Sequence, residues 1–308
     1  MQLIKISILG SSGFIGQNLV KSLAKTYKVN QVSLRANNWQ GKLQESELFI
    51  NLIGKAHDHK GTATEQDFYY ANTELAKEVF EVFINSDAKL FIHISSLAAL
   101  EEVESETALT EDTMPHLQSW YGKSKRAGEE WLLNQTLPEG KKLIILRPPM
   151  VHGPGDKGNL GLLYKLISKG IPYPLASFNN QRSFISIDNF NFFIQEIIKG
   201  QDRLVSGIYH ISDDEPIATN TIISIIKEVE QKNIPNLSLP KSFVNLMAKV
   251  GDIIPIPLNS IRLKKMTSNL VLSNEKIKAA LGIEKLPLTA EEGIEKTIRS
   301  FKEVKTKK

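Results

Sequence analysis

Short apolar runs alternate with amphipathic stretches through the first half of the chain. Residues 4–9, 29–34, 48–53, 90–94 and 143–146 have strand length and are rich in Ile, Val, Leu and Phe. Between them, 16–25 carries Leu19, Val20 and Leu23 on one helical face, 72–85 carries Leu75, Val79, Val82 and Phe83 at the same period, and 121–133 forms a third helix. Strands alternating with helices imply βαβ units and a parallel sheet covered on both faces. Pro148 and Pro149 stop the last of these strands. Only 35–47, about a dozen residues, separate the second strand from the third, whereas a full crossover needs ~10–12 or more besides the strand. One unit of the sheet is therefore expected to be trimmed there.

After Gly153 the texture changes. Pro, Gly and Asn are frequent as far as Asn180, and helical segments follow at 189–199 and 220–230. The expected architecture is α/β: a doubly wound parallel sheet over 1–150, also receiving about 183–213, with a smaller, discontinuous C-terminal lobe made mainly of 151–308. The 308 residues suffice for one large domain with such an appendage.

Composition narrows the chemistry. Hydrophobic residues make up 41% and charged residues 23%, which suits a chain that buries a core. The absence of cysteine excludes disulfides, thiolate nucleophiles and cysteine-ligated zinc. The net charge of +4 is spread along the chain, with an excess at 302–308. That tail has no aromatic or motif partner and reads as a solvated end, so no nucleic-acid partner is expected. The opening apolar run breaks at Gly10, too early for a signal-peptide core, and reads as a first strand. No stretch approaches ~18 uninterrupted apolar residues, so no membrane span and a cytoplasmic location are expected.

The first strand runs into GSSGFIG, residues 10–16, and then into a helix. Gly10, Gly13 and Gly16 suit a tight turn whose backbone must approach a pyrophosphate, while the helix N-terminus offers unpaired N–H groups. A strand before and an amphipathic helix after are the context that gives the glycines this meaning. The turn predicts a Rossmann-like domain with a dinucleotide cofactor on Gly10, Ser11, Ser12, Gly13, Phe14, Ile15 and Gly16. WYGKSK places Tyr121 and Lys125 four apart, on one helical face. A phenol of reference pKa ~10 exchanges protons poorly at neutral pH. A neighbouring ammonium is expected to lower that value, so that Tyr121 can exchange a proton with a carbinol or ketone.

The G-x-x-G-x-x-G spacing resembles the short-chain dehydrogenase/reductases. The order GSSGFIG, NLIG (51–54), the double serine 95–96, YGKSK, RPPMVHGPG (147–155) and RSFISIDN (182–189) resembles their extended branch, the NAD-dependent epimerase/dehydratase family acting on nucleotide sugars. The resemblance covers about 3–300. It implies that the dinucleotide carries nicotinamide and also meets Leu52, Ile53 and Gly54 at the end of the third strand. By the same resemblance, Ser96 bonds the sugar oxygen, Tyr121 is the acid/base, and Lys125 binds the nicotinamide ribose and tunes Tyr121. It also implies that Asn159 touches the sugar diphosphate and Arg182 meets it. Ser95 reads as a structural neighbour of Ser96, and a loop-capping role competes for Asn159.

Departures from the family pattern refine this. The second strand ends in Ser33-Leu34-Arg35, without the acid that usually binds the ribose hydroxyls of NAD. Arg35 can accept a 2′-phosphate, so NADP is the preferred cofactor and NAD the alternative. Leu97, Ala98, Ala99 and Leu100 follow Ser96 where water-eliminating relatives carry an acid pair, which disfavours a dehydratase. Glu101, Glu102, Glu104, Glu106, Glu111 and Asp112 read as a solvated loop. The valine–tyrosine–glycine trio common in 4-epimerases is absent too. The expected activity is reduction of a 4-keto sugar carried on a nucleotide, UDP foremost, in surface-glycan synthesis. A UDP-hexose 4-epimerase with tightly held NAD is the alternative, and a non-catalytic, cofactor-sensing regulator on the same fold is the second.

Four other features are weighed. His57-Asp58-His59 lacks a third ligand at helix or strand spacing and reads as a polar loop, so no metal is expected. His93 reads as a packed strand residue, and His152 as a pocket-lining residue without chemistry. The apolar stretch 243–256 reads as a helix of the small lobe rather than a membrane-resting one, because basic clusters do not flank it. Helices 72–85 and 121–133 are expected to pair across a homodimer.

Overall fold

The computed structural model describes residues 3–56, 62–156, 158–235, 237–253 and 259–306. His57, Asp58 and His59 lie outside the described residues. The strands are β1 (Lys5–Leu9), β2 (Lys28–Val32), β3 (Leu48–Asn51), β4 (Leu90–Ile94), β5 (Lys142–Arg147), β6 (Met150–His152), β7 (Phe184–Ser186) and β8 (Gly207–His210). The helices are α1 (Phe14–Leu23), α2 (Glu65–Tyr69), α3 (Leu75–Ile84), α4 (Trp120–Leu133), α5 (Asn159–Ser168), α6 (Ile187–Lys199), α7 (Thr219–Glu230), α8 (Lys241–Ile253), α9 (Ser260–Thr267), α10 (Glu275–Leu281) and α11 (Ala290–Thr306).

Six strands form one sheet in the order β2-β1-β3-β4-β5-β8, every pairing parallel. The fold is the expected α/β, Rossmann-like doubly wound sheet. Between β2 and β3 stands only a short 3-10 turn, Gly41–Leu43. A strand and its helix are missing there, and β2 is left as the sheet edge.

Alternation along each strand sends side chains to opposite faces. Ile6, Ile8, Leu48, Ile50, Ile92 and Ile144 join Leu19 of α1 and Phe190 and Phe193 of α6 in one apolar cluster. Leu9, Phe49, Phe91 and Ile145 join Val79, Phe80 and Phe83 of α3 and Leu132 of α4 in another. The Phe80 and Phe91 rings meet edge to face at 5.3 Å, a geometry that adds about 0.5–1.5 kcal/mol beyond area burial. A separate cluster, from Leu160 and Tyr164 of α5 through Ile222 and Ile226 of α7 to Ile294 and Ile298 of α11, holds the later helices together.

The helix expected at 72–85 begins earlier. Thr64 caps α2 in a reciprocal box with Asp67, and α2 continues through a single π turn, Tyr70–Glu74, into α3. The Thr64-x-x-Asp67 pattern is a start signal, and the π turn moves the helical face where it meets α4.

Candidate active site

Because all six strands run parallel, their C-terminal ends share one edge, where ligands bind in open sheets of this kind. Gly10 leaves β1 at φ +80°, a left-handed conformation that favours glycine. A side chain there would stand 3.0 Å from the carbonyl carbon of Leu52, and one at Gly16 would stand 2.7 Å from Ser11 Cα. Strand, turn and helix therefore close together only with glycine at both positions. Gly13 opens α1 without a side-chain cap, and no acid occupies the first turn. The leading N–H groups of α1 thus face outward beside exposed Ser12, a cradle that fits a pyrophosphate. Phe14 lies near the loop at Gly153. Arg35 is exposed in the turn just past β2, whose last residue pairs with Leu9. It therefore stands at the same edge as the glycine turn.

Beyond β3, Gly54 meets the second group. A Cβ placed on it would come within 2.8 Å of both Lys125 Nζ and Asn72 Oδ1. Lys125 is buried, and its ammonium donates to the Ile94 carbonyl at 2.9 Å, directly before Ser95 and Ser96. Burial pulls its pKa down to about 8, against the opposing pull of Glu129. Ser96 accepts a hydrogen bond from Ala98 N at 3.2 Å and is hydrogen-bonded to Tyr121. Gly122 packs so tightly on the Ala98 carbonyl that any side chain would collide with it. That approach locks the first turn of α4 against the turn after Ser96. Ser96, Tyr121, Lys125, Gly54, Leu52, Ile53 and the glycine turn are thus one contiguous group.

The pKa of Tyr121 departs from the sequence expectation. It is raised, first by burial and also by the Glu102 carboxylate, while the Ser96 hydrogen bond draws it down. The Lys125 ammonium, by contrast, is engaged by the Ile94 carbonyl.

Arg182 is partly buried, its guanidinium donating to the Ser268 and Val103 carbonyls at 3.2 and 3.4 Å. Burial lowers its pKa to about 10. Val103 follows Glu102, whose carboxylate accepts from Ser119 N (2.8 Å) and Ser119 Oγ (2.7 Å) at the start of α4. Arg182 therefore borders the Tyr121 region. Asn159 is exposed in the first turn of α5, and among the described residues no hydrogen bond joins it to this group.

Two sequence readings need correction. Glu101, Glu102 and Glu111 are not solvated. Glu101 accepts from the Glu102 and Val103 amides, both at 2.8 Å, and Glu111 accepts from His210 N at 2.8 Å. His152 lines no pocket: it is fully buried, its Nδ1 paired with Thr297 Oγ1 at 2.9 Å. The described part of the 243–256 stretch is, as expected, a helix packed among the later helices through Val244 and Ala248, with the rest of its apolar surface exposed. His93 is buried beside Asn51, as its strand position predicts.

Asn72 is a participant the sequence did not reveal. Its amide bonds the backbone N–H and carbonyl of Lys55 and the Ser124 hydroxyl, tying the loop after β3 to α4. Ser95 is fixed from behind, donating to Glu129 at 2.5 Å, and Glu129 is in turn paired with Arg147. Among the described residues, no cluster of three potential metal ligands occurs, and no helix is long and apolar enough to cross a membrane.

The sequence model of the NAD dependent epimerase/dehydratase family matches residues 6–211. A UDP-glucose 4-epimerase of Vibrio cholerae is 28% identical, over 96% of this chain and 95% of its own. An N-acetyl-alpha-D-glucosaminyl-diphospho-ditrans,octacis-undecaprenol 4-epimerase of Escherichia coli O157:H7 is 22% identical, over 96% and 94%. In structure, the chain is similar to a UDP-glucuronic acid 4-epimerase from Bacillus cereus solved with UDP-glucuronic acid and NAD. The TM-score is 0.76 at 18% identity, over 98% of this chain and all of that one.

Proposed function

The chain belongs to the NAD-dependent epimerase/dehydratase family, and from that membership we propose that it reduces a 4-keto sugar carried on a nucleotide, UDP foremost, with NADPH. It is an enzyme, and the regulator reading is set aside. The observation that carries the proposal is the hydrogen-bonded Ser96–Tyr121 pair, with buried Lys125 one helical turn beyond Tyr121. Residues 10–16 would hold the cofactor, which would supply the hydride for the keto carbon. The chain's own residues manage the oxygen. Ser96 and Tyr121 present their hydroxyls to it together, and Tyr121 hands over the proton as the carbonyl becomes an alcohol. Burial keeps the phenol protonated, which suits a proton donor. Lys125 is assigned to the nicotinamide ribose and Arg182 to the diphosphate. Arg182 fits because its partly buried guanidinium has carbonyl partners at the long end of hydrogen-bond range. Asn159 is assigned to the same diphosphate by its place in the motif order. The protein is proposed to work in the cytoplasm as a homodimer paired through α3 and α4.

The second reading is a 4-epimerase, favoured by the end-to-end likeness to the Vibrio cholerae protein. Purified enzyme separates the two. Stoichiometric oxidation of added NADPH by a UDP-4-keto sugar is the expected result. Tightly held nicotinamide with redox-neutral turnover of a UDP-hexose would replace it with the epimerase, and inertness toward both would overturn the assignment.

Arg35 supports NADP over NAD. It occupies the place of the ribose-binding acid and is exposed at the edge that carries the glycine turn. Arg35→Ser is expected to weaken NADPH binding by about ten- to a hundredfold, the loss of one hydrogen bond to a charged group. NADH binding should stay unchanged. Fluorescence titration of both cofactors reads the ratio, and equal effects on the two would assign NAD.

A further inference from the structure

Helix α4, which carries Tyr121 and Lys125, has an N-terminus that is completed from outside the helix. Ser119 is its N-cap, and the Ser119 Oγ accepts from Gly122 N at 3.0 Å. In a capping box the residue at the place of Gly122 is an acid or amide that reaches back to the N-cap N–H. Two other helices close that box with their own residues. Asp67 accepts from Thr64 N at 2.7 Å at the start of α2, and Glu292 accepts from Thr289 N at 2.8 Å at the start of α11. Helix α4 has no such option, because a Cβ on Gly122 would collide with the Ala98 carbonyl. That same Cβ would lie 3.2 Å from Glu102 Oε2. A carboxylate from 17 residues earlier in the chain thus stands where the missing acid would be. It accepts from Ser119 N at 2.8 Å, the bond a local acid would make, and from Ser119 Oγ at 2.7 Å.

We infer that Glu102 is a positioning residue for the reduction: it supplies the capping acid of α4 from the loop after β4 and so fixes the Tyr121 hydroxyl beside Ser96. The inference rests on the reading of Tyr121 as proton donor. Tyr121 is the second residue of α4, within the turn that the cap holds. The logic is a sequence of steric demands. Close approach of α4 to the turn after Ser96 requires glycine at 122, glycine there removes the local acid, and Glu102 replaces it. The Glu102 side chain is only 9% exposed, and a charged acceptor at a helix N-terminus binds more strongly than a neutral one. The carboxylate is itself anchored. Lys265 of α9 stands 3.8 Å from its Oε1, and the carbonyl of the next residue, Val103, accepts from Arg182. Its charge acts in the same sense as its geometry. Burial raises the pKa of Tyr121 first, the Ser96 hydrogen bond opposes this, and the Glu102 carboxylate adds to the rise, which keeps the donor protonated.

Single-turnover hydride transfer, followed by nicotinamide absorbance, tests the role. Glu102→Gln, isosteric and uncharged, should slow transfer by about ten- to a hundredfold, the range expected when a reacting group is misplaced. Cofactor affinity and the half-saturating sugar concentration should stay at wild-type values. Ser119→Ala should slow transfer too, and the double variant should lose less than the product of the two losses, since both break one device. Glu104→Gln, which removes the neighbouring pair with Lys264, should change nothing. A second readout needs no substrate: amide exchange of the peptide carrying Ser119 and Gly122 should quicken in Glu102→Gln. Unchanged transfer in Glu102→Gln, losses that multiply in full, or unchanged exchange overturns the inference. So does a fall in cofactor affinity as large as the fall in rate, because Glu102 would then support the fold at large. Full-rate transfer in Tyr121→Phe would instead count against the reading of Tyr121 as donor, whereas quickened exchange without slower transfer counts against Glu102 alone.

Discussion

Tyr121→Phe lowers single-turnover hydride transfer by about 10²- to 10⁴-fold, the contribution of one positioned acid–base group, while cofactor affinity stays at the wild-type value. The substitution removes one oxygen and preserves the ring, so the packing of the first turn of α4 on Ala98 survives. What disappears is the proton that must reach the sugar oxygen as hydride arrives at its carbon. Ser96 keeps its place because it is also fixed by the Ala98 amide, but a serine hydroxyl cannot replace the phenol as an acid. The pH profile gives a second readout. Tyr121 titrates above its ordinary value, so the first group to lose its proton as pH rises is Lys125, at about 8. Wild-type activity should therefore decline above that pH as the ammonium is lost. Residual activity in the phenylalanine variant should show the same alkaline limb, since Lys125 is untouched. Turnover at the wild-type rate would place the proton donor elsewhere in the cleft.

The elements that the sequence made legible are those whose signal is local. Periodicity over 16–25 and 121–133 located α1 and α4 to within two residues at each end, because an amphipathic helix writes its own period. The shortfall of residues at 35–47 gave the missing sheet unit by length alone. What stayed hidden depends on partners far away in the chain. Glu101 and Glu102 look like a solvated acidic loop until α4 supplies Ser119, 17 residues on, as the partner of Glu102. Asn72 looks like an ordinary first residue of a helix until the π turn aims it at Lys55 and Ser124. The Tyr121–Lys125 spacing was read correctly as one helical face, but spacing does not say where an ammonium ends. Here it ends on the Ile94 carbonyl. Short β6, β7 and β8, of three or four residues each, carry too few positions for alternation to be seen.

The second large effect is expected behind the site. Glu129→Leu should cost about 3–5 kcal/mol in urea denaturation, the usual consequence of leaving one member of a buried ion pair alone. Both side chains are fully buried, with Arg147 Nε and Nη2 on the two carboxylate oxygens at 2.8 and 2.6 Å. Without Glu129 the Arg147 guanidinium has no counter-charge in a region dry enough to hold His210 down at about 3, through burial first and the guanidinium second. Glu129→Leu/Arg147→Met should recover most of the loss, because replacing a whole buried pair by apolar groups is often neutral. A double variant as unstable as the single one would mean that packing rather than charge is at stake. The isosteric Glu129→Gln separates stability from chemistry. Glu129 raises the Lys125 pKa against the larger depression by burial, so removing its charge lets Lys125 deprotonate at lower pH. The alkaline limb of activity should then move down from about 8. It should also broaden into a loss of maximal rate, since Ser95, the neighbour of Ser96, no longer donates to a charged acceptor. An unmoved limb would detach the ion pair from the ammonium and leave it a purely structural clamp between β5 and α4.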